Sequence, residues 1–455
     1  MPIAEFTGRC ARIARIALVV MLLSAGLAAV PAGYAPAASA RSAPNSFKIV
    51  GYLPSWAGEV NAVQYGKLTH INYAFVVPDG NGALSPVPNP AKLRDLVRLG
   101  HANGVKVLIS IGGWNNGDDS PFESLAANPA ARSAFVHNVL TMAADYDLDG
   151  ADIDWEYPDP GASAGNFSQL MAELGNALHA RGKLLTAAVI SNGNTQGVQP
   201  AVFESVDFLN IMLYDGGTPH ANYDWTIAQV NAWKARGLPT SKTVVGIPFY
   251  SRPTYAAYAQ LVAMDPANAN RDCTTVNGGQ ACYNGRPTVA RKTQWALANA
   301  GGVMFWELSN DTNDATSLLN VAYENTLGVR SGEITGTSGK CVDVRWSGTE
   351  NGTPIQLYSC NGSDAQWWTM DGTGAVRALG KCLDVPGGST ADGAQLQLWD
   401  CNGTGAQVWQ ARGDGTLQNP NSNKCLDATG FGTDDGTRLQ IWSCHGGSNQ
   451  VWQLP

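Results

Sequence analysis

Four carboxylate side chains lie within the eight residues 149–156, which read D-G-A-D-I-D-W-E. If this run is a strand, its side chains alternate between two faces. Asp152, Asp154 and Glu156 then share one face, and the apolar Ile153 and Trp155 take the other. Burial and like-charge neighbours raise the pKa of a carboxylic acid. An acid that stays protonated near neutral pH can act as a general acid, as the cleavage of a glycosidic bond requires.

The competing interpretation of this run is a solvated acidic turn or a calcium-binding loop. Calcium loops place their glycine and their oxygen ligands at different positions, so the spacing disfavours that interpretation. Asp149 opens the predicted strand, and we expect it to cap or support the backbone rather than to react.

The pattern D-x-x-D-x-D-x-E resembles the catalytic signature of the family 18 glycoside hydrolases, the chitinases and their relatives. Three further motifs follow in the order of that family. Residues 110–113 (S-I-G-G) are similar to its S-x-G-G motif, residues 212–215 (M-L-Y-D) are similar to M-x-Y-D, and Trp306 lies in a late apolar strand. The resemblance covers about residues 47–328 and predicts that this segment is the catalytic domain.

The resemblance also implies a mechanism. Glu156 would protonate the glycosidic oxygen, while the 2-acetamido oxygen of the substrate itself attacks the anomeric carbon, which gives retention without an enzyme nucleophile. Asp154 would orient the acetamide group and share a proton with Asp152, so that the pair titrates as a unit. Tyr214 would bind the acetamide carbonyl, and Asp215 would support the same group.

Substrate binding is predicted for side chains at the strand ends. Trp306 would form an apolar floor for the sugar at the cleaved bond, because a sugar ring packs its C–H face on an indole. Gly113 leaves room beside the substrate, and Met212 packs in the barrel next to it. Other aromatic residues at strand ends, some of them core and some able to line subsites, are Tyr52, Trp56, Phe75, Trp114 and Tyr250.

Short apolar runs alternate with amphipathic segments before residue 330, which is typical of β/α units around a parallel sheet. Eight such runs predict an α/β fold, a closed (β/α)8 TIM barrel. The predicted strands are 49–56, 70–76, 105–111, 148–156, 184–190, 208–214, 244–249 and 302–308. Each motif falls at the carboxyl end of a strand, where barrel enzymes place their chemistry.

The first forty residues are typical of a secretory signal peptide, with Arg9, Arg12 and Arg15 ahead of the apolar run 16–30. A membrane anchor is the alternative, but Ser24, Gly26 and Pro31 interrupt a stretch that would need about 20 apolar residues to span. We therefore expect cleavage at about residue 40 and a secreted, extracellular protein.

The formal charge of the chain is −8. Removal of residues 1–40 deletes three arginines and one glutamate, so the charge becomes −10. An acidic surface disfavours nucleic acid and anionic membranes as partners. Nine cysteines include Cys10 in the signal and eight beyond it, an even number that suits an oxidising compartment. Equal spacing predicts the disulfides Cys341–Cys360, Cys382–Cys401 and Cys425–Cys444, which leaves Cys273–Cys282.

After residue 333 a unit recurs three times, with periods of 41 and 43 residues. Each copy opens on K-C-[VL]-D and closes on Q-x-W. Copies of this size cannot each bury a core, so they are expected to close on one another with pseudo-threefold symmetry. Residues 334–455 resemble the ricin-type β-trefoil lectins, also classed as carbohydrate-binding module family 13, and the resemblance implies an all-β glycan-binding domain.

The ricin-type pattern places sugar contacts at four positions in each repeat. The third repeat has all four, which are Asp427, Gln440, Trp442 and Asn449. The first and second repeats have Ala365 and Ala406 at the asparagine position. Sugar binding is therefore predicted at the third repeat and is doubtful at the other two.

The sequence thus predicts a secreted retaining chitinase that acts on chitin or chitin oligosaccharides and binds other glycans through the trefoil. No Cys/His group has zinc spacing, so we predict no metal and no cofactor, and we expect a monomer. Two alternatives are an endo-β-N-acetylglucosaminidase that acts on N-glycans and a chitin-binding lectin without turnover. The retained M-x-Y-D motif disfavours the first, and the presence of Glu156 disfavours the second.

Overall fold

A computed structural model describes residues 47–336 and 338–455. The predicted signal peptide, residues 1–40, lies outside the described residues. Among the residues that are described, no helix has both the length and the hydropathy needed to cross a membrane.

Eight parallel strands close into a barrel. They are β1 (Lys48–Pro54), β2 (His70–Val76), β3 (Lys106–Gly112), β4 (Gly150–Asp154), β5 (Leu184–Ile190), β6 (Phe208–Met212), β7 (Thr243–Pro248) and β10 (Gly302–Trp306). Around the barrel each strand pairs with its neighbours in sequence, and β1 pairs with β10 to close the ring. The strands read as apolar runs because parallel strands are buried on both faces. The predicted TIM barrel is confirmed.

Nine helices are found in the described part of the barrel segment. They are α1 (Pro90–Ala102), α2 (Ser120–Ala127), α3 (Pro129–Asp145), α4 (Ala162–His179), α5 (Pro200–Ser205), α6 (Tyr223–Ala235), α7 (Tyr258–Met264), α8 (Arg286–Asn299) and α9 (Leu318–Thr326). Local sequence sets several starts. The side chains of Asn128 and Asn222 accept from backbone N–H groups in the first turns of α3 and α6, as N-cap residues do.

Four predicted strands end two residues earlier in the structure, among them the first, at Pro54, and the eighth, at Trp306. The fourth ends at Asp154 rather than at residue 156, and the sixth ends at Met212 rather than at residue 214. Glu156 and Tyr214 therefore follow the strands, where the backbone leaves the hydrogen-bonded ladder and turns toward the helices. Three non-proline cis peptide bonds, Ala74–Phe75, Glu156–Tyr157 and Trp306–Glu307, lie at the same end of β2, β4 and β10.

The long connection between β7 and β10 is not irregular. It contains α7, the antiparallel hairpin of β8 (Cys273–Val276) and β9 (Gly279–Cys282), and then α8. The predicted disulfide Cys273–Cys282 joins the two strands of this hairpin.

The remaining strands are short and antiparallel. They are β11 (Arg330–Gly332), β12 (Thr335–Gly336), β13 (Cys341–Val344), β14 (Thr353–Tyr358), β15 (Trp368–Met370), β16 (Val376–Ala378), β17 (Lys381–Asp384), β18 (Ala394–Gln395), β19 (Gln397–Trp399), β20 (Gln410–Ala411), β21 (Leu417–Asn419), β22 (Lys424–Ala428), β23 (Leu439–Ser443) and β24 (Trp452–Gln453). They form the predicted β-trefoil, and the last strand, β24, pairs with β12 near its start.

One buried tryptophan from each repeat holds the trefoil centre together. Trp368, Trp409 and Trp452, the tryptophans of the three Q-x-W motifs, share a single apolar core. Each indole N–H donates to the backbone carbonyl of the residue after a repeat's first cysteine, at 2.7–3.0 Å. The three predicted disulfides of the repeats also form.

The first trefoil repeat contacts the barrel through Arg286, the first residue of α8. Its buried guanidinium forms an ion pair with Asp364 and lies 4.4 Å from the ring of Trp367. It also donates to Asn270 Oδ1 at 2.7 Å and to the carbonyl of Ala315 at 3.2 Å. Together with the pairing of β11 and β15, these bonds attach the trefoil firmly to the barrel.

Arg286→Met should lower the free energy of unfolding by about 3 kcal/mol, because it leaves the partners of a buried cation without a donor. Asp364→Asn is the matched control and should cost less than about 1 kcal/mol, because that side chain is half exposed and Arg286 keeps its other bonds. Urea denaturation of the three proteins measures the difference. Equal losses for both variants would contradict this account of the junction.

Candidate functional site

The floor of the barrel is organised by one buried carboxylate. Asp152 Oδ2 accepts from the hydroxyls of Tyr52, at 2.7 Å, and Ser110, at 2.8 Å. Its Oδ1 accepts from the Thr186 hydroxyl at 2.6 Å and from the Asn210 amide at 3.2 Å. Burial raises the pKa of Asp152, and these four hydrogen bonds oppose the shift without cancelling it. The donors come from β1, β3, β5 and β6, so strands that are distant in sequence converge on one side chain.

Asp154 lies two residues further along β4 and, unlike Asp152, has an oxygen atom without a hydrogen bond in the part of the chain that the structure describes. Its Oδ1 atom is buried and has no hydrogen-bond partner among the described residues. Burial raises its pKa well above the usual range, and the negative charges of Glu156 and Asp152 raise it further. Within the described part of the chain no hydrogen bond joins Asp154 to Asp152. The two groups interact through charge, and the shared proton expected from the sequence stays a prediction.

Glu156 lies just beyond the end of β4 and is partly exposed to the cleft. Burial raises its pKa, a hydrogen bond with Tyr157 lowers it, the charge of Asp215 raises it again, and the net shift is upward. The alternation predicted from the sequence is found here. Trp155 points away from the cleft and stacks on Phe122 in the helix layer, with ring centroids 5.2 Å apart. Glu156 thus fits the protonated acid that the sequence predicts.

The end of β6 contributes Tyr214 and Asp215. The Tyr214 ring packs against the barrel interior, and its centroid lies 6.2 Å from that of the Tyr250 ring. Asp215 Oδ1 accepts from the Tyr250 hydroxyl at 2.6 Å and forms an ion pair with Arg252 Nε at 2.7 Å. Burial raises the pKa of Asp215, but interactions with His220 and Tyr250 and the charge of Arg252 outweigh that effect, so the pKa is lowered. Asp215 therefore carries a negative charge beside Glu156.

His220 and Arg252 are two residues of the site that the sequence did not predict. The backbone N–H of Asp215, whose φ is 58°, donates to His220 Nε2 at 3.0 Å. Because Nε2 accepts, Nδ1 carries the proton and donates to the carbonyl of Cys282 at 3.3 Å. The buried imidazole thus connects Asp215 to the disulfide-closed hairpin. Arg252 stands two residues after Tyr250, on the same side of the chain, and this spacing was the signal available in the sequence.

An aromatic layer forms one side of the cleft. Trp306 and Phe75 stack with centroids 5.6 Å apart and an interplanar angle of 18°. Tyr52 lies 5.4 Å from Trp306 but is buried, as is Met212, so both belong to the layer beneath the cleft surface. A Cβ on Gly113, whose φ is 86°, would lie 2.7 Å from the Phe75 ring. Any side chain at position 113 would therefore clash with the Phe75 ring.

Three large aromatic side chains stand exposed beyond this layer. Trp114 and Trp56 are largely exposed, and Trp56 lies 6.1 Å from Phe75. Tyr255 is also exposed and lies parallel to Tyr250 with centroids 6.3 Å apart. Together they extend the apolar surface of the site beyond Trp306.

In the third trefoil repeat the predicted sugar contacts lie together. Asp427 accepts from Gln440 at 2.8 Å and from Asn449 at 2.7 Å, and Trp442 stands exposed nearby on the same strand as Gln440. Gln450, which was not predicted, donates to Asp427 at 3.0 Å. The Asn449 Oδ1 atom is buried and has no partner within the described residues.

The other two repeats have the same hydrogen bonds between the aspartate and two glutamines, but alanine replaces the asparagine in both. Asp343 accepts from Gln356 at 2.9 Å and from Gln366 at 3.0 Å. The equivalent bonds to the second-repeat aspartate, at 2.8 and 3.1 Å, come from Gln397 and Gln407. Each of the three repeats thus contains one aspartate that accepts hydrogen bonds from two glutamines.

One group of potential metal ligands was found among the described side chains. Glu333 lies close to the sulfurs of Cys341 and Cys360. Those sulfurs are bonded to each other, so they cannot act as thiolate ligands.

The barrel and the trefoil segment each match a known protein family. Residues 48–311 match the model of Glycosyl hydrolases family 18, and residues 330–453 match the Ricin-type beta-trefoil lectin domain. The endochitinase of Manduca sexta is 32% identical over 251 residues, which are 45% of this chain and 45% of that protein. Chitinase A1 of Niallia circulans is 27% identical over 64% of this chain and 60% of its own length.

Among solved structures, the GH18 chitinase ChiB from the chitin utilization locus of Flavobacterium johnsoniae is 28% identical, with a TM-score of 0.56. The match covers 62% of this chain and 94% of that one. This chain spans about half the length of the curated relatives that it matches, 45% and 57% for two of them. The family model covers more than half of the chain. The resemblance predicted from the sequence is confirmed, and the chain belongs to family 18 of the glycosyl hydrolases.

Proposed function

We propose that this protein is a chitinase that hydrolyses β-1,4 links between N-acetylglucosamine units by a retaining, substrate-assisted mechanism. The observation that carries the proposal is the buried, unpartnered Oδ1 atom of Asp154 beside Glu156. A buried acceptor without a donor is costly, so its presence next to an acid of raised pKa indicates that a substrate N–H completes it.

In the first step Glu156 gives its proton to the glycosidic oxygen as the bond from that oxygen to the anomeric carbon breaks. The acetamide oxygen of the same sugar bonds to the anomeric carbon and forms an oxazolinium ion. Asp154 Oδ1 accepts the acetamide N–H and so holds the acetamide group in place for the attack. Tyr214 donates from its hydroxyl to the acetamide oxygen and holds it in line.

In the second step the Glu156 carboxylate takes a proton from water, and the water oxygen bonds to the anomeric carbon. The ring opens back to the acetamide, and two displacements on one carbon leave its configuration unchanged. Asp215 carries a negative charge that raises the pKa of Glu156 and so favours its reprotonation. Trp306 supports the sugar from the apolar side.

We further propose that the trefoil binds glycans at the third repeat through Asp427, Gln440, Trp442 and Asn449. A second attachment point raises the local concentration of polysaccharide at the cleft. Export to an oxidising compartment is part of the proposal, and the four disulfides of the described residues support it.

Glu156→Gln should reduce hydrolysis of chitohexaose by at least about 10³-fold, because the amide has no proton to give, while binding is kept. Glu173→Gln is the matched control. That glutamate lies on α4 and pairs with Arg132 at 2.9 Å, so the variant should keep parental rates. A Glu156→Gln protein that cleaves at the parental rate would disprove the assignment.

Product analysis tests the mechanism independently. Mass spectrometry and proton NMR of chitohexaose digests should show β-anomers formed first, and cellohexaose, which lacks the acetamide, should remain intact. First-formed α-anomers, or equal cleavage of cellohexaose, would rule out substrate assistance. Release of N-glycans without chitin cleavage would favour an endo-β-N-acetylglucosaminidase, and chitin binding without any cleavage would favour a lectin.

Asp154→Asn should stabilise the protein at alkaline pH. An acid whose pKa is raised by folding destabilises the folded state once the pH exceeds its unfolded pKa of about 3.9. The gain over the parent should be present at pH 8 and should vanish near pH 4. Urea denaturation at both pH values measures it.

Asp311→Asn provides the contrasting control. Burial raises the pKa of Asp311 to about 6, but that carboxylate accepts from the backbone N–H groups of Leu318 and Leu319. Its replacement should therefore destabilise the protein at pH 8. Equal behaviour of the two variants would contradict the distinction between an unpaired and a hydrogen-bonded buried acid.

A further inference from the structure

Lys292 lies in the middle of α8, and its side chain is completely buried. The negative charge of Asp272 favours its protonated form, but burial outweighs this effect and lowers the pKa of Lys292 to about 7. Burying an ammonium group costs free energy, and an apolar side chain would avoid that cost. The presence of a lysine at this position therefore calls for a functional reason.

The Lys292 ammonium group connects two oxygen atoms. Its Nζ atom donates to the carbonyl of Ala221 and to Asn284 Oδ1, both at 2.7 Å. The buried Asn284 side chain donates from Nδ2 to the same Ala221 carbonyl at 3.1 Å. Ala221 precedes α6, but that helix already has its own N-cap in Asn222. The bonds from Lys292 and Asn284 are therefore not needed to start α6.

Ala221 ends a closed loop, residues 215–221, that begins at Asp215. The Ala221 N–H donates to the carbonyl of Gly216 at 2.8 Å, and the Asp215 N–H donates to His220 Nε2 at 3.0 Å. Asp215 and Ala221 both have left-handed backbone angles, with φ 58° and 50°. Such angles are strained for residues other than glycine, and they persist only where the surrounding structure holds them. The 215–221 loop thus depends on contacts outside itself.

Those contacts come from one stretch of the chain, the end of the disulfide-closed hairpin and the helix α8 that follows it. His220 Nδ1 donates to the carbonyl of Cys282 at 3.3 Å. Asn284, two residues later, and Lys292 bind the carbonyl of Ala221. The loop is therefore held at two adjacent residues by backbone and side chains that are themselves buried.

The 215–221 loop carries a group that acts on the proposed acid. The negative charge of Asp215 raises the pKa of Glu156. Tyr157 and Asp154 also face Glu156 from the end of β4, and Tyr214 faces it from the end of β6. Among these groups, Asp215 is the one that belongs to the loop, so its distance from Glu156 depends on how the loop is held.

We propose that Lys292 is a positioning residue for the hydrolysis reaction. Through the carbonyl of Ala221 it holds the 215–221 loop in place, and the loop holds the Asp215 carboxylate beside Glu156. Lys292 itself does not reach the cleft surface, because its side chain is fully buried. The inference rests on the proposed function, in which Glu156 is the acid.

Lys292→Met in the full chain removes the donor and keeps an unbranched side chain. With chitohexaose, kcat should fall by about 10- to 100-fold, because a small displacement at a reacting centre is costly, and KM should change by less than about twofold. The alkaline limit of kcat should move to lower pH, because a displaced Asp215 raises the pKa of Glu156 less. The thermal unfolding midpoint should stay within about 3 °C of the parent's, since the change also removes a buried charge.

Thr293→Val is the matched control. Thr293 is also fully buried on α8, and its hydroxyl donates within the helix to the carbonyl of Val289 at 2.8 Å. This variant should keep the parental kcat and pH profile. Asn284→Ala breaks the same connection from the other side and should reproduce the effects of Lys292→Met. The double variant should lose no more activity than the more damaging single variant, because both changes break one connection.

A parental kcat in Lys292→Met would overturn the inference, and so would a loss of activity with an unchanged alkaline limit or an equal loss in Thr293→Val. If Lys292→Met does not fold, Asn284→Ala decides by the same criteria. Hydrolysis by the parent chain is scored separately. If the parent hydrolyses chitohexaose and Lys292→Met matches it, only the role of Lys292 fails. If the parent does not hydrolyse chitohexaose, the proposed function fails and the role of Lys292 fails with it.

Discussion

The burial of adjacent carboxyl groups inside a closed parallel barrel is the constraint on which the catalytic domain depends. Asp152 is fully hydrogen-bonded by four donors, whereas Asp154 leaves one oxygen atom without a donor in the described structure. Each bond to Asp152 comes from a different side chain around the ring. The barrel therefore supplies donors to both oxygens of the first carboxylate and leaves one oxygen of the second without a donor among the described residues.

The pKa values of the acids in the site are shifted in different directions, and each shift has its own physical cause. Burial raises the pKa of Asp154 and of Glu156, and the charge of a neighbouring acid adds to each shift. His220, Tyr250 and Arg252 instead lower the pKa of Asp215 and keep it ionised. One site thus contains an acid that holds a proton and an acid that does not. This separation is the usual requirement for proton transfer at neutral pH.

The sequence predicted those features that depend on local periodicity. Alternation along residues 149–156 correctly placed Asp152 and Asp154 inside the barrel and Trp155 outside, and the repeat spacing correctly paired the cysteines. Features that depend on distant segments were not predictable. No local pattern shows that Tyr52 donates to Asp152, that His220 accepts from the Asp215 backbone, or that the Glu156–Tyr157 peptide is cis.

In the trefoil, the hydrogen bonds that hold each repeat together are the same in all three repeats, whereas some surface residues differ between repeats. In every repeat the same aspartate accepts from two glutamines, and the same tryptophan N–H donates to a strand carbonyl, so the scaffold is a threefold copy. The turn after the first strand of each repeat differs, because Trp346 stands where the other two repeats have Gly387 and Gly430. Evolution can therefore alter ligand preference one lobe at a time, so that a single small domain can come to display several unlike recognition surfaces without losing its internal symmetry.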